Sequence, residues 1–283
     1  MYESFFGLRE PAFSLAPDPR FLWPSDTHDE GLAALIYGIT RRKGFMLITG
    51  EVGTGKTTLL RAALDRIPED TEVALVLNTS GLRPVDLLKL IATEYRLPGP
   101  FDGKVDYVIA LNRFLMQQLE AGTNTVLIID EAQNLGTELL EEVRLLSNLE
   151  TDTEKLLQIV LVGQPELRQK LATQNLRQLR QRVAIEHHIQ PLAPDEVRRY
   201  LAHRIDVAGG KYDEVFAPGA DAAFYAFSAG CPRLISLLAD RVLLAAFSKQ
   251  VKPVPQAMVE KKAKEMAESR LDSTLPGAGG QHG

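Results

Sequence analysis

Through residue 190 the chain alternates two hydrophobic patterns: short, almost unbroken apolar runs, and longer stretches whose apolar residues recur every three or four positions. The runs at 45–49, 72–78, 125–129 and 156–162 are apolar on both faces and predict strands of a parallel sheet covered on each side. Residues 183–189 read as a further strand. Between them, helical spacing predicts helices over 28–40, 57–67, 84–95, 105–119 and 137–150, the first through Leu32, Leu35, Ile36 and Ile39. From Pro191 onward only helical spacing remains, over 194–207, 219–228, 232–247 and 254–269. The expected organisation is an α/β domain over 1–190, a helical domain over 191–270, and a Gly-rich polar tail over 271–283 that is expected to be disordered.

The turn between the first strand and its helix is Gly50-Glu51-Val52-Gly53-Thr54-Gly55-Lys56-Thr57-Thr58, which satisfies the phosphate-binding pattern G-x-x-x-x-G-K-[ST]. Three glycines let successive N–H groups turn inward around phosphate oxygens at the positive end of a helix. Lys56 is placed to reach the β- and γ-phosphates and the Thr57 hydroxyl to ligate Mg²⁺, so ATP with Mg²⁺ is the expected occupant. Residues 1–30 carry Phe5, Phe6, Phe13, Phe21 and Trp23 among prolines, with no helical period. They read either as a cover over the core edge or as part of an apolar adenine pocket.

The run at 125–129 ends in Asp130-Glu131. A strand buried on both faces brings its end carboxylates out at the carboxyl edge, beside the phosphate loop. Asp130 is then the candidate Mg²⁺ ligand and Glu131 the general base that polarises a water. Asn78, ending the second strand, reads as an amide that restrains Glu131 or as a simple turn residue. Gln164, just past the fourth strand, reads as a γ-phosphate sensor or as a turn amide before Pro165.

Arg177, Arg180 and Arg182 cluster where a helix ends. They read as cations favoured by the helix dipole or as an arginine finger for a neighbouring subunit. Arg233, in Gly230-Cys231-Pro232-Arg233 at the start of a helix of the second domain, reads as a γ-phosphate contact or as a surface ion pair. His187 and His188 point to opposite faces of a strand and read as structural.

The composition restricts partners more than fold. Over 283 residues the formal net charge is −5, which gives no support to a mainly electrostatic nucleic-acid binder. One cysteine, Cys231, suits a reducing compartment. No apolar run approaches the roughly 20 residues of a membrane helix. The expected location is the cytoplasm, with any attachment at the inner membrane made through a partner.

With these motifs in place, the sequence resembles the AAA+ ATPases of the general secretion pathway protein A (ExeA-like) family. The resemblance rests on Phe6-Gly7-Leu8-Arg9-Glu10-Pro11, the phosphate loop, Ile129-Asp130-Glu131-Ala132-Gln133-Asn134-Leu135, and Gln158-Ile159-Val160-Leu161-Val162-Gly163-Gln164-Pro165-Glu166-Leu167. It implies a P-loop NTPase fold of AAA+ type, with a five-stranded parallel sheet in the order 5-1-4-3-2 and a helical lid. It also implies sensor roles for Gln164 and Arg233, a finger at Arg182 with Arg180 second, and a homo-oligomer in the ATP state. The activity implied is ATP hydrolysis that drives assembly of an envelope secretion or polysaccharide export system. The second reading is an ATP-dependent DNA-binding regulator of the transposition-related AAA+ type. A small-molecule kinase fits the Asp130-Glu131 pair and the helical lid less well.

Overall fold

The computed structural model describes residues 1–274 apart from Asn78 and Thr153. The reading of Asn78, and that of the tail from residue 275 on, lie outside the described residues, whereas 271–274, expected in the disordered tail, continue the helix Gln256–Thr274. The chain divides into two compact units, Asp26–Gln190 and Met1–Ser25 with Pro191–Gly283.

In the first unit five parallel strands form one sheet: β1 (Phe45–Gly50), β2 (Thr71–Val76), β3 (Asn124–Ile129), β4 (Gln158–Gly163) and β5 (Val183–Ile189). Their order is β2-β3-β4-β1-β5, as the family resemblance implies. Every residue of β1 and β4 is buried, because these central strands have neighbours in the sheet on both sides and helices over both faces. The edge strands β2 and β5 are partly exposed. In register, Thr49 of β1 pairs with Gly163 of β4, and Ile129 of β3 with Leu161. The carboxyl ends of β1, β4 and β3 therefore lie side by side, and the three segments that follow them emerge at one edge.

Two helices fix the position of that edge. Asp26–Thr40 buries Leu32, Leu35 and Ile39 and approaches β1 so closely that a Cβ on Gly38 would lie 2.3 Å from the Met46 sulfur. Lys56–Leu64 starts at the loop lysine and buries Leu59, Leu60, Ala62 and Ala63. It ends three residues before the expected position 67. Likewise the helix expected over 137–150 runs only over Thr137–Leu146, after which Glu150 and Lys155 form an antiparallel bridge.

The second unit is helical, with Pro194–Val207, Ala220–Ser228, Pro232–Ser248 and Gln256–Thr274 as its main helices. Its core also contains the N-terminal segment, which the sequence reading assigned to the α/β domain. Phe6, Phe13 and Phe21 are buried in one cluster with Phe216, Phe224 and Leu238. The Phe13 and Phe216 rings meet edge to face at 6.4 Å, and Phe5 meets Phe247 at 5.6 Å. The physical reason is that a proline-punctuated segment makes no ladder of its own, so its backbone needs outside donors. Arg204 supplies them. It is 9% exposed, and donates from Nε to the Ala12 carbonyl at 2.7 Å and from Nη2 to the Ser14 carbonyl at 2.9 Å. The helix beginning at Pro232 is placed by Gly230, at φ 80°, whose carbonyl accepts from Leu192 N at 2.9 Å. A Cβ there would meet the Leu192 carbonyl oxygen at 2.0 Å, so only glycine fits.

Candidate functional site

The phosphate loop leaves β1 at Gly50, where a Cβ would lie 2.9 Å from the Ile189 carbonyl oxygen and 2.8 Å from Thr54 Oγ1. Thr54 is fully buried and its hydroxyl donates to the Glu51 carbonyl at 2.9 Å, closing the turn. Gly53 and Gly55 take φ values of 82° and 98°, a region that costs a residue with Cβ about 1–2 kcal/mol. Val52, at the tip, is 53% exposed. Lys56 is buried, and its ammonium donates to the Gly50 and Glu51 carbonyls at 2.8 and 2.9 Å. The charge is thus held across the mouth of a loop built from backbone amides.

Thr57 and Thr58 occupy the first turn of the following helix. The Thr57 hydroxyl donates to Asp130 Oδ2 at 3.0 Å, and the other oxygen, Oδ1, accepts from Glu131 N at 2.8 Å. Burial pushes the Asp130 carboxyl above the usual carboxylate range, against the hydrogen bonds from Glu131 and Thr57 that favour its charged form. A hydroxyl and a buried carboxylate at one helix N-terminus are hard oxygen donors that suit Mg²⁺, and a cation there would relieve the cost of the buried charge. The residues present fit that ion.

Glu131 sits in the left-handed region at φ 51°, where residues other than glycine are uncommon. Its carbonyl accepts from the buried Thr79 hydroxyl at 3.2 Å. The turn points its carboxylate toward two amides: Oε2 accepts from Gln133 Nε2 and from Gln164 Nε2, the latter at 3.4 Å. Gln133 Oε1 in turn accepts from Gln164 N at 3.0 Å. Gln133 therefore bridges the end of β3 to the end of β4, a role not among those expected from the sequence. The available signal was an amide two residues beyond a paired carboxylate, in a turn (Ala132–Asn134) that must pass over the neighbouring strand. Lys170 secures this turn by donating to the Gln133 and Leu135 carbonyls.

The structure thus brings Lys56, Thr57, Asp130, Glu131 and Gln164 to one edge of the sheet. Arg182 lies elsewhere. It immediately precedes β5, whose first residue, Val183, pairs with Phe45 at the amino end of β1. A six-residue strand is about 17 Å long, so Arg182 and the phosphate loop occupy opposite edges. Its guanidinium donates from Nη1 to the Ser147 carbonyl and hydroxyl at 3.2 and 3.1 Å, and from Nη2 to Asn148 Oδ1. It lines a cavity of about 410 Å³ together with Lys43, Arg144 and Lys155. Arg180 is exposed two residues earlier. Arg233 is exposed in the first turn of Pro232–Ser248, and no carboxylate pairs with it among the described residues.

A phosphate loop after β1, paired carboxylates after β3, a polar residue after β4 and this strand order define a P-loop NTPase fold of AAA+ type. A family model described as "AAA domain" matches residues 39–171. General secretion pathway protein A of Aeromonas hydrophila is 44% identical over 275 residues, which is 97% of this chain and 50% of that protein. The chain is similar to this ExeA-like AAA+ protein over nearly its whole length and spans about half the length of that relative. Among solved structures, the Aeropyrum pernix ORC1 protein in complex with DNA superposes with a TM-score of 0.67 at 19% identity, covering 95% of this chain and 73% of that one. The Aeropyrum pernix ORC2 protein in its ADPNP-ADP complexes gives 0.65 at 18% identity, over 90% and 71%. At these identities the likeness is one of fold. Among the described residues no helix is long and apolar enough to cross a membrane.

Proposed function

We propose that this chain binds ATP at the Gly50–Thr58 loop and hydrolyses it to drive assembly or regulation of an envelope secretion or polysaccharide export system. The observation that carries the reading is the joining of Thr57, Asp130, Glu131 and Gln164 at one sheet edge by direct hydrogen bonds. Backbone N–H groups of residues 51–58 and Lys56 hold the phosphates, and Thr57 and Asp130 would hold Mg²⁺. When bound, that ion neutralises charge on the phosphate oxygens. Glu131 accepts a proton from the attacking water, while Gln133 and Gln164 keep its carboxylate aimed. Gln164 also reads the γ-phosphate.

A finger at Arg182 acts on the nucleotide of a second copy, since its own loop lies at the opposite edge of the sheet. Arg233 reports the γ-phosphate to the helical unit. The product is a nucleotide-dependent conformational change passed to a partner, and the chain works in the cytoplasm, where that partner can hold it at the inner membrane. The name of the Aeromonas relative supports the secretion context. DNA-dependent regulation is the less favoured reading, since the net charge of −5 offers no general attraction to phosphates.

Turnover per subunit measured against protein concentration tests the shared site. It is expected to rise with concentration in the wild type and to stay low in Arg182→Ala. Turnover that is flat with concentration contradicts it.

A further inference from the structure

The Thr54 carbonyl, within the phosphate loop, accepts a hydrogen bond from His28 Nε2 at 2.8 Å. The ring is 3% exposed and lies in the first turn of helix Asp26–Thr40. A carbonyl oxygen only accepts, so Nε2 carries the proton. His187 Nε2 donates in the same way to the Thr27 carbonyl at 2.7 Å. The His187 ring also packs under Gly31, where a Cβ would come within 2.8 Å of Cδ2. Strand β5 therefore fixes the helix start that carries His28.

The Thr54–Gly55 peptide is trans, so its carbonyl and its N–H point to opposite sides. Holding the carbonyl toward His28 turns the Gly55 N–H toward the other side of the loop. Gly55 sits at φ 98°, and glycine visits both signs of φ at little cost. Its own conformational preference does not stop this peptide from turning over. A reversed peptide would offer an oxygen where a phosphate requires a donor, and would leave the buried His28 N–H without its acceptor. The ring also closes the space behind the loop, since a Cβ on Gly55 would lie 3.2 Å from Nε2.

We propose that His28 is a positioning residue of the nucleotide site: by holding the Thr54 carbonyl, it keeps the Gly55 N–H directed as a donor to the polyphosphate of a bound nucleoside diphosphate or triphosphate. The inference rests on reading Gly50–Thr58 as that site. It concerns a residue outside the loop, 26 positions before Thr54.

The test is the affinity of the full chain for ADP and ATP, together with kcat and KM, in wild type, His28→Gln and His28→Leu, each melted without nucleotide. Glutamine carries an N–H at about the reach of Nε2, and leucine fills the space with none. His28→Gln is expected to stay within about 3-fold of wild type. His28→Leu is expected to weaken both nucleotides about 10-fold and to raise KM far more than it lowers kcat, with the two variants melting alike. Wild-type affinity in His28→Leu overturns the inference, as does a glutamine variant no better than leucine. If the leucine variant does not fold, His28→Asn, whose amide stops short of Thr54, takes its place with the same two outcomes. A wild type that binds neither nucleotide overturns the site reading itself, and His28 with it, which separates that failure from the failure of His28 alone.

Discussion

The Thr57 hydroxyl donates to Asp130 Oδ2 across 3.0 Å, joining the first turn of one helix to the end of a strand 73 residues later. That contact belongs to a buried carboxylate whose hydrogen bonds from Glu131 and Thr57, with the charge of Lys56, do not offset the cost of burial. Burial raises the folded-state pKa of Asp130. For a raised carboxyl, the stabilising contribution is complete below the unfolded value of about 3.9 and is lost as pH rises through the folded value. Ionised Asp130 therefore costs stability at neutral pH. Asp130→Asn keeps one oxygen to accept from Glu131 N, turns its Nδ2 to the Thr57 hydroxyl, which then accepts, and removes the charge. Its melting temperature without Mg²⁺ is expected to gain on wild type between pH 4 and pH 7, while ATP hydrolysis falls about 100-fold or more. A variant that loses stability at pH 7 contradicts this account.

Gln133 holds two partners at once, the Glu131 carboxylate and the Gln164 amide nitrogen. Gln133→Ala is expected to lower kcat about 10-fold, as the loss of an orienting group does, with ATP affinity changed less than about 3-fold. Steady-state kinetics beside equilibrium binding check it. An equal loss in both would place Gln133 in nucleotide binding instead.

In the helical unit Arg204 also donates from Nη1 to the Tyr200 hydroxyl at 3.2 Å, and its guanidinium carbon lies 4.9 Å from the Phe21 ring centre. Arg204→Ala strands the buried Ala12 carbonyl and leaves the Ser14 carbonyl, on an exposed residue, to water. At about 1–3 kcal/mol for a buried group left unsatisfied, denaturant unfolding is expected to show a loss of about 2 kcal/mol, with protease cleavage before residue 25 accelerated. A loss under about 0.5 kcal/mol would mean that the segment is held by its aromatic side chains alone.

Two histidines are expected to make the fold acid-sensitive. Burial, followed by the charge of Arg168, lowers the pKa of His188, whose Nδ1 lies 2.9 Å from Thr49 Oγ1; burial also lowers that of His203. A base whose folded pKa is depressed contributes stability above its unfolded value of about 6.5 and loses it as pH falls through the folded value. Melting temperature is expected to drop from pH 7 toward pH 5, and less steeply in His188→Asn. Parallel curves for the two proteins would remove His188 from the explanation.

The chemistry that lies close together in sequence was legible there. Gly50 to Thr58 and Asp130-Glu131 each declare themselves within a few residues, and strand burial alone places the carboxylates at the correct edge. What escaped depends on contacts between distant segments. Gln133 acts on β4 only because a short turn folds back over it. His28 reads as one more residue of an amphipathic helix until the Thr54 carbonyl is seen beside it. The segment carrying Phe6, Phe13 and Phe21 has no period, so its aromatic content showed that it packs without showing against what. The helix from Lys56 ends early for a local reason: Pro68 disfavours helical backbone at Ile67, and the chain turns from Asp65 toward β2.

The central claim is that Glu131 activates water at a site that binds ATP without it. Phosphate release by wild type and Glu131→Gln, with ATP affinity measured on the same samples, tests this most directly. Wild type is expected to turn over, and the variant to bind ATP within about 3-fold of wild type with release slowed by about 100-fold or more. Equal release rates from the two proteins would contradict it.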